Sequence, residues 1–190
     1  MKLIFISGPS GSGKTTLSKK LREKIQHSIV ISTDNYYKTG LVSMILSKFI
    51  DGYFDRKISL NYNLLKKDIR FIIKNGYLNS LRSYNFNRKK ITKFTIKTQN
   101  IKYLIVEGIF ARDILSIMDK KDYFFFELKK NKNYCMNKVI ERDFIERGKA
   151  KKLAKKDFLK SWDIYYSRSK NISSKKDSDE FTLIKNSDLE

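Results

Sequence analysis

Gly8-Pro9-Ser10-Gly11-Ser12-Gly13-Lys14-Thr15 has the spacing G-x-x-x-x-G-K-[ST], and its flanks fix how the surrounding chain must run. The apolar run Leu3 to Ile6 before it reads as a buried strand. Leu17, Leu21 and Ile25 after it share one stripe of an amphipathic helix. In such a strand, glycine loop and helix, successive backbone N–H groups curl around a phosphate, and the helix start adds roughly half a positive charge. Gly8, Ser10, Gly11, Ser12, Gly13, Lys14, Thr15 and Thr16 are therefore the candidate residues for binding a nucleoside triphosphate. Lys14 would reach the β- and γ-phosphates, and the Thr15 hydroxyl would hold Mg²⁺. The alternative is a glycine-rich turn that merely joins strand to helix.

Residues 1–190 read as a single α/β domain with room for a substantial core. No apolar run approaches the roughly 18 residues of a membrane span, and the N-terminus reads as a strand feeding the loop, not as a leader. One cysteine, Cys135, excludes an internal disulfide and fits a reducing, cytoplasmic setting. With one histidine, His27, no nitrogen–sulfur zinc site can be assembled, so any metal should be oxygen-bound, which suits Mg²⁺.

The net charge of +21 raises the question of nucleic acid. The lysines are spread along the chain, however, among many Ile, Asn, Phe and Tyr. The densest runs, Lys129–Lys132 and Lys149–Lys156, lack interleaved stacking aromatics and a recognition helix. No specific nucleic-acid partner and no membrane are expected. The charge favours anionic nucleotides.

Further along, Ile29-Val30-Ile31-Ser32 is a second short strand, Tyr103-Leu104-Ile105-Val106-Glu107-Gly108 a third, Tyr123 to Phe126 a fourth and Phe181 to Ile184 a fifth. Residues 40–63 read as irregular. Leu65, Ile69, Ile72 and Ile73 predict a helix that stops at Asn75-Gly76. Residues 78–98 alternate weakly and read as a hairpin leaving the sheet. A helix near 133–147 carries Met136, Ile140 and Phe144 at i, i+4, i+8 and stops at Gly148. Phe158, Leu159, Trp162 and Tyr166 mark another helix, followed by a polar connector from Asn171 to Glu180.

Ligands of open α/β sheets sit beyond the carboxyl ends of the strands, which puts Asp34 where a terminal phosphate and an acceptor should meet. A GTPase would need an N-K-x-D motif, and Asn131-Lys132-Asn133-Tyr134 lacks the aspartate. Motor ATPases are usually larger. A small kinase needs a base, an acid on Mg²⁺ and mobile cations over the phosphoryl group. Asp34 is the candidate base and a possible support of Mg²⁺-bound water; its bland reading is a turn aspartate. Glu107 could order Mg²⁺-bound water or the acceptor. Arg142 and Arg147, in Glu141-Arg142-Asp143-Phe144-Ile145-Glu146-Arg147-Gly148, are candidate phosphate clamps. They could equally serve exposed i, i+4 pairs, Arg142 with Glu146 and Asp143 with Arg147.

Assembled, these residues resemble the uridine kinase branch of the phosphoribulokinase/uridine kinase family. The likeness rests on Gly8 to Thr16, Asp34-Asn35-Tyr36-Tyr37, Phe54-Asp55-Arg56, Tyr84-Asn85-Phe86, Glu107-Gly108-Ile109 and Arg142 to Gly148, in the family's order. It implies a P-loop fold with a mostly parallel five-stranded sheet flanked by helices, a helical lid about 142–152, and acceptor-binding excursions about 52–63 and 78–98. It also implies ATP and Mg²⁺ as cofactors, with transfer of the γ-phosphoryl group to the 5′-hydroxyl of uridine or cytidine. The implied catalytic set is Asp34, Lys14, Arg142 and Arg147, and the metal set is Thr15, Asp34 and Glu107. The implied acceptor set is Tyr37, Asp55, Tyr84, Phe86, Lys89, Glu107 and Lys149. The partner implied is a small nucleoside, and a homo-oligomer is left open. The chain departs from the family pattern where Lys89 replaces a histidine, Val139 an arginine and Lys149 an arginine, and lysine does not reproduce arginine's two-pronged contact. Another small hydroxyl metabolite (a different nucleoside, a sugar phosphate or pantothenate) and a nucleotide-dependent nucleic-acid binder are the alternatives.

Overall fold

The computed structural model describes residues 1–115 and 123–173. Four short apolar strands, β1 (Lys2–Ser7), β2 (Ser28–Ser32), β5 (Tyr103–Glu107) and β6 (Tyr123–Glu127), form one parallel sheet in the order β2-β5-β1-β6. The pleat sends alternate side chains to opposite faces. Leu3 and Phe5 of β1 join Leu104 and Val106 of β5 in the larger core, and Ile4, Ile6 and Ile105 face the other way. Each such side chain taken from water contributes about 1.5–3 kcal/mol. The predicted strand Phe181–Ile184 lies outside the described residues, as does the polar connector beyond Ser173; residues 171–173 belong to a helix.

Helix α1 (Lys14–Lys24) covers the smaller face with Leu17, Leu21 and Ile25, the stripe read from the sequence. Helix α3 (Tyr62–Asn75) buries Leu65, Ile69 and Ile72 on the other face. The Asn61 side chain accepts from the Leu64 N–H at its start, and Gly76 ends it with φ 70°. The expected excursion is the antiparallel hairpin β3 (Ser80–Asn85) and β4 (Lys90–Thr95).

Residues 40–63 are not irregular throughout. They hold helix α2 (Leu41–Phe49) and 3₁₀ turns at Tyr53–Asp55 and Lys57–Ser59. Helix α2 buries only Ser43 and leaves Leu41, Val42 and Phe49 exposed, so no core-facing stripe marks it in the sequence.

After the short helix α4 (Ala111–Leu115) and β6, α5 (Lys132–Arg147) and α6 (Lys151–Ser173) form a helical hairpin around Gly148, whose φ is 62°. The face α5 buries is Cys135, Val139 and Asp143, one residue before the predicted Met136, Ile140 and Phe144. Phe158 and Trp162 of α6 pack on Cys135 and Val139, and Phe144 stays about half exposed. Helix α6 then crosses the carboxyl end of the sheet. Among the described residues no helix is long and apolar enough to cross a membrane.

Candidate active site

Strand register sets the site. Ile6 pairs with Glu107 and Ser32 with Glu107, while Ser7 pairs with Glu127, so the carboxyl ends of all four strands finish in one row. The glycine loop leaves β1 there, and Thr33-Asp34 leaves β2 in a 3₁₀ turn (Thr33–Tyr36). Two glycines allow elements to close on this row. At Gly11, φ is 81° and a built Cβ would collide with the Cys135 carbonyl of α5, so that helix rests directly on the loop. At Gly108, φ is 139° and a Cβ would overlap the Thr33 hydroxyl, which is fully buried.

In the loop, the buried Lys14 amine donates to the Pro9 carbonyl at 2.8 Å, so its charge lies over the loop's own amides. Burial pulls its pKa down, opposed by the charges of Glu107 and Asp34. The Ser12 hydroxyl is buried without a protein partner among the described residues, a donor suited to an anion in the cradle. The Thr15 hydroxyl lies 3.5 Å from the buried Glu107 carboxylate. Burial, then the negative charge of Asp34, raise the Glu107 pKa. Asp34 is itself held above the usual carboxylate range by burial, and Lys14, Arg142 and Arg147 oppose that rise. The Tyr37 hydroxyl, 3.5 Å away, donates toward Asp34.

These groups fit a Mg²⁺ nucleotide. Among the described residues no group of three or more His, Cys, Asp or Glu converges as a metal cage. A hydroxyl with one or two carboxylates, completed by phosphate and water, is what Mg²⁺ takes. Thr15, Glu107 and Asp34 supply oxygen donors only.

Beside the loop a cleft of about 330 Å³ is lined by Ser10, Asp34, Tyr37, Asp55, Phe86, Val139, Arg142, Arg147 and Lys149, among others. The structure thus brings together sequence-predicted residues from the loop, both excursions and the segment 142–149. Tyr84 does not line the cleft. It is buried behind Tyr37, with ring centres 5.2 Å apart, and meets Phe86 edge-on at 4.9 Å. Glu107, Lys14, Thr15 and the remaining loop residues border the loop side instead, and Thr16 is exposed on α1. Lys89 is not brought in: it sits exposed at the hairpin turn with φ 49° and borders a separate small crevice with Lys38 and Thr39.

Of the two i, i+4 pairs expected on α5, the structure makes one. Arg147 does reach Asp143 at 3.2 Å, but Arg142 turns to the same carboxylate, at 3.0 Å from Nε and 2.7 Å from Nη2, and not to Glu146. Asp143 is buried, and its oxygen Oδ1 takes both cations. The Arg147 guanidinium also lies 3.9 Å over the Phe86 ring, and burial lowers its pKa.

Sequence reasoning missed the α6 contribution. Ser161 donates to Asp55 at 2.6 Å, Asp157 pairs with Lys149, and Lys160 reaches Asp51 at 2.8 Å. Arg168 donates to the backbone carbonyls of Asp55 and Ile109 and stacks on Phe110. No motif marks these residues; only the crossing of α6 over the 3₁₀ turn at Tyr53–Asp55 assembles them. Half-buried Asp55 has its pKa raised by desolvation, partly offset by the Ser161 hydrogen bond and by Arg168.

A glycine loop cradled at the end of a parallel strand and flanked by helices is the P-loop nucleotide-binding fold. Comparisons with known proteins narrow this. The model of the phosphoribulokinase/uridine kinase family matches residues 3–166. A uridine kinase of Borrelia duttonii (strain Ly) is 32% identical over 164 residues, which span 85% of this chain and 76% of that kinase. Among solved structures, a putative fructose transport system kinase from Silicibacter sp. TM1040 superposes with TM-score 0.66 at 15% identity, covering 87% of this chain and 84% of that one. A possible uridine kinase from Bacillus stearothermophilus does so with TM-score 0.60 at 17% identity, covering 97% and 88%. The chain belongs to the phosphoribulokinase/uridine kinase family and is a P-loop kinase.

Proposed function

We propose that the protein transfers the γ-phosphoryl group of ATP to the 5′-hydroxyl of a pyrimidine nucleoside. The observation that carries this is the position of Asp34, at a strand end between the cations of the loop and lid and facing the cleft. In the reaction, the acceptor oxygen forms its bond to the γ-phosphorus, the bond to the β-bridging oxygen breaks, and the acceptor proton passes to an Asp34 oxygen. A carboxylate made more basic by burial takes that proton more readily. Lys14 and the loop amides hold the triphosphate, and Arg142 and Arg147 turn from Asp143 to the charge that spreads over the transferring group. Mg²⁺, when bound, neutralises phosphate oxygens; Thr15 would hold it, with Glu107 and Asp34 on it or on its water.

The cleft favours a neutral acceptor. Each of its four lining cations already has a carboxylate: Arg142 and Arg147 share Asp143, Lys149 has Asp157 and Lys160 has Asp51. Asp34 and Asp55 face the remaining space and accept hydroxyl protons, while a second phosphate there would be repelled. Tyr37 and Phe86 offer an aromatic wall to a planar base. This supports a nucleoside over a sugar phosphate.

Labelled ATP with a panel of uridine, cytidine, adenosine, fructose, a pentose phosphate and pantothenate tests the proposal. Phosphorylation of the pyrimidine nucleosides with the highest kcat/KM is expected. Asp34→Asn should keep ATP binding and lower kcat by roughly 10²–10⁴-fold. Preference for the pentose phosphate, or near-normal turnover of Asp34→Asn, overturns it.

A further inference from the structure

The tip of the β3–β4 hairpin touches the last turn of the lid helix twice. The Asn87 side-chain amide donates to the Glu146 backbone carbonyl at 3.1 Å, and Phe86 carries the Arg147 guanidinium on its ring at 3.9 Å. The carbonyls of a helix's last turn have no partner within the helix, so a donor from another element both caps α5 and ties the hairpin to it. The tied residues are consecutive, 86 with 147 and 87 with 146, so the two contacts fix position and rotation together. Phe86 lines the acceptor cleft, and Arg147 reaches from the same turn toward Asp34.

We infer that Asn87 is a positioning residue: it latches the hairpin to the end of α5, so that an acceptor seated against Phe86 also sets Arg147 over the transferring phosphoryl group. The inference rests on the phosphotransfer reading above. Neither Asn87 nor the Glu146 carbonyl touches the reacting atoms; their action runs through Arg147. The physical consequence is that remote binding energy from the base is realised at the phosphorus. A nucleoside then differs from its bare sugar in kcat as well as in KM.

Three variants test this in the full chain. Asn87→Ala removes the donor, Asn87→Asp keeps the shape while replacing the donor by an acceptor, and Arg147→Ala removes the arm the latch would set. Loss of one hydrogen bond worth about 1 kcal/mol corresponds to about five-fold. Asn87→Ala and Asn87→Asp should each lower kcat for uridine by about that factor at unchanged ATP KM, and narrow the kcat gap between uridine and ribose. In the Arg147→Ala background, Asn87→Ala should have no further effect on kcat. Equal losses in both backgrounds would show that Asn87 does not act through Arg147 and would overturn the inference.

A second readout needs no turnover. Amide hydrogen exchange over residues 144–150 should quicken by about five-fold in Asn87→Ala and Asn87→Asp. Unchanged exchange means there is no latch. If no acceptor on the panel is phosphorylated while exchange still quickens, the nucleoside reading fails and the latch stands as a mechanical tie only.

Discussion

Replacing Asp143 by alanine separates a buried brace from an ordinary exposed ion pair. The side chain is 5% exposed, and its carboxylate accepts two charge-assisted hydrogen bonds from Arg142, at 3.0 and 2.7 Å, with the Arg147 guanidinium in an ion pair at 3.2 Å. Such bonds contribute about 1.5–3 kcal/mol each where solvent is excluded. The arginine side chains keep 35% and 24% exposure, so much of that is screened and regained from water. A loss of about 2–3 kcal/mol follows, between the ranges for exposed and buried pairs. In a domain of this size that lowers Tm by about 5–10 °C. Glu146→Ala is the control: its side chain is exposed and is the partner that helical spacing alone would assign to Arg142, and its removal should cost less than about 0.5 kcal/mol. Urea unfolding with both variants, at low and at high salt, measures the difference, and the Asp143 penalty should persist in salt because the carboxylate is buried. Equal effects of the two substitutions, or a penalty for Asp143→Ala that salt abolishes, would refute the assignment of the brace.

Arg147→Ala should lower kcat by about 10³-fold with a much smaller change in nucleoside KM, read from steady-state kinetics; a change confined to KM would make Arg147 a binding residue only. Asp55 has its folded pKa raised above the ordinary 3.8 by burial, so the folded state is favoured while Asp55 is protonated, and that advantage is lost as pH rises from 3.8 through the raised value. Asp55→Asn should therefore hold its Tm better than the unaltered chain as pH rises to neutrality, while raising nucleoside KM; thermal melts across that window and acceptor titrations check both. Gly108→Ala should destabilise by more than about 2 kcal/mol and slow turnover, because its Cβ would displace Thr33, next to Asp34. Adding Thr33→Ala removes the colliding hydroxyl, leaves the Thr33 Cβ 3.0 Å from the new methyl and should restore part of the loss in denaturant melts.

What could be read in the sequence is what neighbours within a few turns decide. The strand, loop and helix at Leu3–Ile25, the stripe Leu65, Ile69, Ile72 with its Gly76 stop, and the Asp34 and Glu107 strand ends depend on local periodicity, caps and glycine geometry. Helix α2 escaped because its apolar residues face outward and form no core stripe.

Other choices needed distant partners. On α5 two adjacent stripes were available, and the packing of Phe158 and Trp162 selected Cys135 and Val139 over Ile140 and Phe144. Arg142 had carboxylates one and four residues away, and the burial of Asp143 against the exposure of Glu146 decided between them. Asp55 gained Ser161 and Arg168 from more than a hundred residues further along the chain. Spacing records which side chains a helix offers. Which of them lose water, and so interact strongly enough to matter, depends on what the rest of the chain lays over them.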